Sequence, residues 1–350
     1  MQARTVTERA DPAMGDAAMP RTDPARVVVF IPTLNEEAHI ARVVEELLGS
    51  DPFAARCRVI VADGGSTDRT REIVEGMQDR FPLLALLDNP GRLQASAMNL
   101  ALGAEFAGAE TLIRCDAHSF YPPGFVSALV SALEARPEAS SIVIPMDTLA
   151  EGGCFRRALA WISDTPLGAG GSPHRGGSRS AWVDHGHHAA FRMEMFRKIG
   201  GYDPSFIANE DAEYDRRVTQ AGGRIWLEAA IRIGYLPRST PRGLAKQYYR
   251  YGQGRARTCL KHRVRPAPRQ LIPAMHVALC VLSVAMLPFT PLGLAWPLVY
   301  LATIAAAGIW MTLRHRSACG LLAGVAVAVM HTCWGAGFLL TLARGGGPNR

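Results

Sequence analysis

The apolar residues of this chain come in three textures. Short β-branched runs read as buried strands: RVVVFIP (26–32), RVIVAD (58–63), LLALLD (83–88), TLIRCD (111–116) and SIVIP (141–145). Between them the period changes. Ile40, Val43, Val44, Leu47 and Leu48 fall at the i, i+3, i+4, i+7, i+8 spacing of one helical face. Thr33 with Glu36, or Asn35 alone, stands where a cap for that helix belongs. Further helices are expected from about Arg69, over 95–106 and over 123–135, the last opening at Pro123. Strands alternating with helices predict an α/β fold with a mostly parallel sheet and helices on both faces. The third texture is long: residues 271–313 run 43 positions without a charge, and 317–343 another 27. A membrane-crossing helix needs ~20 apolar residues. The first run therefore fits two spans, divided near Pro288-Phe289-Thr290-Pro291, and the second fits a third.

Charge sharpens this division. Up to Glu228 the chain carries 23 Lys+Arg against 31 Asp+Glu; beyond it stand 15 Lys+Arg and no acid. An acidic globular part is joined to a basic, apolar tail, so the net +7 is no argument for nucleic acid. Arg255, Arg257, Lys261, Arg263, Arg265 and Arg269 precede the first span, and Arg314, His315 and Arg316 separate the second from the third. The cytoplasmic bias of Lys and Arg places both segments inside, which makes the N-terminal domain cytosolic and puts the C-terminus outside. Residues 238–269 hold ten Lys+Arg with Tyr248, Tyr249 and Tyr251 interleaved, as in an interfacial helix on anionic lipid. The expected domains are a disordered leader over 1–25 with no signal peptide, a globular domain over 26–237, a basic interfacial segment over 238–270 and a membrane region over 271–343. Seven scattered cysteines with no Cys-x-x-Cys speak against a zinc site or a disulfide framework and suit a reducing cytosol.

In parallel sheets ligands bind beyond the carboxyl ends of the strands. Polar groups collect there: Pro32-Thr33-Leu34-Asn35-Glu36 after the first strand, Asp63-Gly64-Gly65-Ser66-Thr67-Asp68 after the second, Asp116-Ala117-His118 after a later one. Gly64 and Gly65 permit a tight turn and close ligand approach. Asp116-Ala117-His118 is an Asp-x-Asp with an imidazole in the second place. His118, two residues on, points to the same side as Asp116. Imidazole suits Mn²⁺ better than Mg²⁺. Three roles stay open for His118: metal ligand, hydrogen-bond donor to a diphosphate, or packing. Residues 163–180, rich in Gly and Ser, are a surface loop or a mobile lid. Glu210-Asp211 stands ahead of a helix that stops at Gly222-Gly223. His185, His187 and His188 lack the partner pair that a closed tetrahedral zinc site needs, leaving acceptor-side lining or a plain loop.

The series FIPTLNEE, VADGGSTDRT, GRLQASAMNLAL, RCDAH, GGYDPSFIANED and QYYRY resembles family 2 glycosyltransferases of GT-A-type fold. More narrowly it is similar to the bacterial succinoglycan-biosynthesis (ExoA-type) enzymes, across about residues 26–257 and, in layout, the membrane tail. The resemblance implies transfer of a sugar from a nucleotide donor such as UDP-glucose to a polyprenyl-diphosphate-linked saccharide. It implies work beside exopolysaccharide assembly proteins at the bacterial inner membrane. It assigns the nucleoside to Pro32, Thr33, Asn35, Glu36 and Asp63, the donor side to Gly91-Arg92, and a divalent metal to Asp116. Glu210-Asp211 matches the catalytic pair. Gln247, Arg250 and Tyr251 match the Gln-x-x-Arg-Trp motif of processive relatives, with Tyr for Trp.

Two chemical tasks follow. A carboxylate must take the acceptor hydroxyl's proton, worth ~10²–10⁴-fold. Asp211 is expected to do so, with Glu210 orienting, and the helix N-terminus behind them keeping carboxylates ionised. The leaving diphosphate needs neutralising by Mg²⁺ or Mn²⁺; Mg²⁺ takes few protein carboxylates plus phosphates and water, so Asp116 and the diphosphate can suffice without a second Asp, His118 being a candidate further ligand. Arg250 is a further phosphate cation, and His187 an acceptor-side candidate alongside Gln247 and Tyr251. Rival readings are transfer to bare polyprenyl phosphate, a nucleotidyltransferase, and an inactive membrane scaffold. FIPTLNEE has none of the Gly, Lys or Arg of a nucleotidyltransferase phosphate loop, and retention of Asp63, Asp116 and Asp211 opposes a dead scaffold.

Overall fold

The computed structural model of the chain describes residues 19–169 and 179–346. Most of the expected leader, and the centre of the loop read as a lid, lie outside them. The strands are β1 (Val27–Thr33), β2 (Arg58–Asp63), β3 (Leu84–Asp88), β4 (Thr111–Arg114), β5 (Ser141–Ile144), β6 (Met146–Thr148), β7 (Ala181–Val183), β8 (His187–Arg192), β9 (Ile225–Leu227) and β10 (Ile233–Tyr235). The α-helices are α1 (Ile40–Val44), α2 (Thr70–Met77), α3 (Gln94–Asn99), α4 (Phe125–Glu134), α5 (Cys154–Ser163), α6 (Pro166–Ala169), α7 (Met193–Lys198), α8 (Glu210–Gln220), α9 (Pro241–His262), α10 (Pro268–Met286), α11 (Ala295–His315) and α12 (Leu322–Ala343).

Two compact units result. The first holds the described residues up to Asp147 and from Arg179 to Tyr235; the second holds 148–169 and everything from Leu236. The domain drawn from sequence as continuous over 26–237 is therefore interrupted. Its cause is α5, whose Phe155, Ala158, Leu159 and Ile162 pack with Met311, Ala326 and Met330 of the C-terminal helices. An apolar helical face shows in a sequence; the address of its partner does not.

In the first unit eight strands form one sheet in the order β3-β2-β1-β4-β8-β5-β9-β7, and β10 pairs with β6 in a separate ribbon. The β1–β2, β2–β3, β1–β4 and β5–β9 pairs are parallel, while β8 runs antiparallel to both β4 and β5, and β7 to β9. The mostly parallel sheet is as expected. Alternation along β1 sends Val27, Val29 and Ile31 into one core with α1 and α4, and Val28 and Phe30 into the other with α3, α7 and α8. The α1 face is buried as its spacing predicts, through a π-turn at Glu45–Gly49. Its cap is not: no side chain caps the N-terminus at His39, because Asn35 is engaged with the neighbouring loop. The helix expected over 95–106 stops at Asn99 and continues as 3₁₀ turns to Phe106.

In the second unit three helical segments, Pro268–Met286, Pro291–His315 and Ala318–Ala343, are long and apolar enough to cross a membrane. Glycines set how closely they approach. A Cβ on Gly252 would stand 2.1 Å from the Trp334 carbonyl oxygen, and one on Gly337 2.2 Å from that of Tyr249, so α9 and α12 meet backbone to backbone. Cys154 and Cys319, 165 residues apart, form a disulfide with Cα atoms 4.8 Å apart. This corrects the expectation of no disulfide: spacing along the chain cannot register a pair that only the α5 excursion brings together.

Candidate active site

The loops after β1 and β2 are hydrogen-bonded into one cradle. Asn35 takes a left-handed φ of 55°, which asparagine tolerates, and its Oδ1 accepts from Thr67 N at 2.8 Å while its own N–H donates to Ser66 Oγ at 2.8 Å. Glu36 N donates to Thr70 Oγ1 at 2.8 Å, and Gly64 N to the Thr33 carbonyl at 2.8 Å. Pro32 and Thr33 close β1, with the Thr33 hydroxyl turned back to the Ile31 carbonyl at 2.9 Å. Arg92, also left-handed, lays its guanidinium over the Gly64-Gly65 turn and donates from Nε to the Gly64 carbonyl at 3.0 Å.

Asp63 is engaged within its own loop. Its fully buried carboxylate accepts from Gly65 N, Ser66 N, Ser66 Oγ and Arg71 Nη1, the last at 2.9 Å. Burial alone would raise its pKa, but these donors outweigh it and hold the group below its ordinary value. Its contacts shape the Gly64-Gly65 turn.

At the end of β4 stands the electrostatic centre of the site, which sequence reasoning missed. Arg114 is 4% exposed; its Nε donates to Asp116 Oδ1 at 3.2 Å and its Nη1 to Asp211 Oδ1 at 2.7 Å. Tyr202 Oη donates to the same Asp211 oxygen at 2.6 Å. One guanidinium thus ties the expected metal carboxylate to the expected base. Arg114 lies two residues before Asp116, and strand alternation alone could have placed both on one side of the sheet end.

The pair opening α8 divides in character. Burial would raise the Asp211 carboxyl, but Arg114, His188 and His187 together with the Tyr202 hydroxyl hold it well below the carboxylate range. The Glu210 side chain makes no ion pair among the described residues, and its own backbone N–H is the hydrogen-bond donor it meets. Burial first, then the Asp211 charge, pushes its pKa up to about 7. The helix N-terminus was expected to keep both ionised; at Glu210 desolvation wins.

The histidines are redistributed. His118, read as a possible metal ligand, bonds through Nδ1 to Glu36 Oε1 at 2.9 Å and is half-exposed. His187, read as acceptor lining, instead places Nε2 3.6 Å from Asp116 Oδ2. Its strand neighbour His188 points to the opposite face, fully buried, and with His185 binds the Asp215 carboxylate, His185 at 2.6 Å. Asp215 is one turn beyond Asp211 on α8, so this cluster fastens α8 to β8.

A divalent ion can be weighed against these donors. Among the described residues no three His, Cys, Asp or Glu side chains are arranged to hold one. Asp116 Oδ2 and His187 Nε2 form a two-donor edge, which fits an ion completed by diphosphate oxygens and water, not a closed protein site. Gln247, Arg250 and Tyr251 lie on α9 in the second unit, where Gln247 Nε2 donates to Tyr251 Oη at 3.0 Å.

The chain matches the family model for glycosyl transferase family 2 over residues 28–200. It is 42% identical over 318 residues to the succinoglycan biosynthesis protein ExoA of Rhizobium meliloti (strain 1021), covering 89% of this chain and 93% of that protein. It is 24% identical over 234 residues to a dolichyl N-acetyl-alpha-D-glucosaminyl phosphate 3-beta-D-2,3-diacetamido-2,3-dideoxy-beta-D-glucuronosyltransferase of Methanococcus voltae, covering 65% of this chain and 71% of that one. Among solved structures it resembles the mannosyltransferase PcManGT of Pyrobaculum calidifontis, in complex with GDP-Man and Mn²⁺, with a TM-score of 0.57 and 22% identity over 90% of this chain and 89% of that one. The structural likeness shows a shared GT-A-type fold.

Proposed function

The chain belongs to glycosyltransferase family 2, of the ExoA type, and from that premise we propose that it is an inverting hexosyltransferase. Its donor is a nucleotide-sugar, UDP-glucose in the simplest case, and its acceptor a polyprenyl-diphosphate-linked saccharide on the way to an exopolysaccharide such as succinoglycan. The observation that carries this reading is the convergence of the β1–β2 cradle, Asp116 and Asp211 at one sheet edge. The three membrane-length helices support anchoring in the bacterial inner membrane with the catalytic unit cytosolic and the C-terminus outside.

The cradle of Asn35, Ser66 and Thr67, covered by Arg92, receives the nucleoside. Asp116 and His187 would hold a divalent ion, which when bound neutralises the leaving diphosphate. A single displacement at the anomeric carbon inverts it, so an α-linked donor gives a β-linked product. The acceptor proton goes to Asp211, released from Arg114 as the substrates rearrange the local charge. A second reading is favoured by one observation: Glu210, with a pKa pushed up to about 7, is matched to accept a proton at physiological pH.

Membranes containing the protein, given radiolabelled UDP-glucose, are expected to label a lipid-linked saccharide and leave bare polyprenyl phosphate unlabelled. Label in neither across UDP-, GDP- and TDP-sugars sinks the transfer reading. Asp211→Asn should abolish transfer while donor binding stays measurable; full activity there, with loss in Glu210→Gln, would move the base to Glu210.

A further inference from the structure

Where α9 ends and α10 begins, the second unit carries an open apolar cavity of about 580 Å³, in the range of small-ligand sites (~300–1,000 Å³). Its walls are apolar: Leu260 of α9, Leu271 and Met275 of α10, and Phe338 and Leu342 of α12. Arg263 and Arg265, on the connecting loop, are also among its lining residues, their guanidinium groups on side chains exposed to solvent. Both are exposed, and neither takes part in a hydrogen bond or ion pair among the described residues. No acidic residue follows Glu228, so neither has a carboxylate nearby in sequence to neutralise it.

An apolar cavity with two uncompensated guanidinium groups asks for an amphiphile: an apolar tail inside and an anionic phosphate against the arginine forks. A zwitterionic head would bring its own cation against those forks; an anionic head does not. Elsewhere on these helices apolar side chains such as Val281 and Val284 are exposed with no cation beside them in sequence, which is ordinary contact with lipid tails. We propose that this cavity is a binding site for an anionic membrane phospholipid, its phosphodiester held by Arg263 and Arg265 and one acyl chain lying between α9, α10 and α12. Basic pockets between membrane helices recognise such head groups, each arginine contributing about five-fold in affinity. The site is separate from the transfer chemistry and stands whichever saccharide is the acceptor.

The test is native mass spectrometry of the full chain in detergent micelles, offered phosphatidylglycerol, phosphatidylcholine or a polyprenyl phosphate. Retained phosphatidylglycerol is expected, weakened roughly 30-fold in Arg263→Gln/Arg265→Gln. Ala278→Trp, at an exposed lining position, narrows the cavity without touching charge and should also reduce retention. Equal retention of phosphatidylcholine, unchanged retention in both variants, or retention of polyprenyl phosphate with exclusion of phosphatidylglycerol would each overturn the proposal.

Discussion

Replacing Arg114 by Met keeps an unbranched chain and deletes the guanidinium that bonds both Asp116 and Asp211. Both partners are largely buried, so each loses its counter-charge where water cannot replace it. Stripping one member from a buried pair costs about 3–5 kcal/mol. For a unit of this size each kcal/mol moves the melting temperature by about 2–4 °C, so a fall of roughly 6–20 °C is expected at pH 8. The pH dependence carries the sharper signature. In the native chain the Asp211 carboxyl lies below its unfolded value; its stabilisation is present above that value and fades as pH falls through the folded one. In the variant Asp116, Asp211 and Glu210 crowd together without that guanidinium, their pKa values rise, and stability is instead greatest at low pH and lost as pH rises. The gap between variant and native protein should therefore be wider at pH 8 than at pH 5.5. Thermal unfolding of the full chain in micelles, followed by tryptophan fluorescence, reads both. Adding Asp211→Asn to the variant should restore part of the loss. A melting temperature within about 3 °C of native at both pH values would refute the idea that Arg114 organises the site.

Other outcomes follow from single contacts. The native enzyme's initial rates are expected to rise with pH around 7, and Glu210→Gln should lose that rise, with the titration belonging to the coupled pair; a retained rise assigns it elsewhere. His118→Ala should raise the donor KM with the Mg²⁺/Mn²⁺ preference unchanged, because His118 is held by Glu36, whereas His187→Ala should shift that preference. The reverse pattern would restore the Asp-x-His metal reading. Alkylation followed by intact-mass measurement should count five thiols, Cys57, Cys115, Cys259, Cys280 and Cys333, before reduction and seven after it; seven at the outset removes the Cys154–Cys319 bond. Gly337→Val forces a branched side chain against the Tyr249 carbonyl and should lower the melting temperature, while Gly76→Ala, with open space around it, should not.

The parallel half of the sheet was legible because β-branched runs and polar strand ends recur with short connections. The antiparallel strands were not. HHAAFR of β8 carries two histidines and two alanines, and its place between β4 and β5 depends on partners far away in sequence. The site residues were legible as motif members but not as a network. Asp116 and Asp211 are 95 positions apart, and only the fold reveals that one buried arginine serves both. For His118, strand alternation fixes a side and not a partner. Glu36, on another loop, captured it.

The position of β8 also sets a schedule for synthesis. When the ribosome has completed β4, the sheet consists of β3-β2-β1-β4 and ends in an open strand edge at the middle of the final sheet. The strand that covers this edge begins at His187, some seventy residues later, after the apolar α5 that belongs to the other unit has been made. At about 5–20 residues per second that interval is roughly 4–15 seconds. During it the nascent chain presents an unpaired strand edge and an apolar helix whose partners in α11 and α12 do not yet exist. Chain order itself thus opens a window in which a chaperone or early membrane contact would shield both surfaces, and a shortened excursion should raise the yield of folded protein.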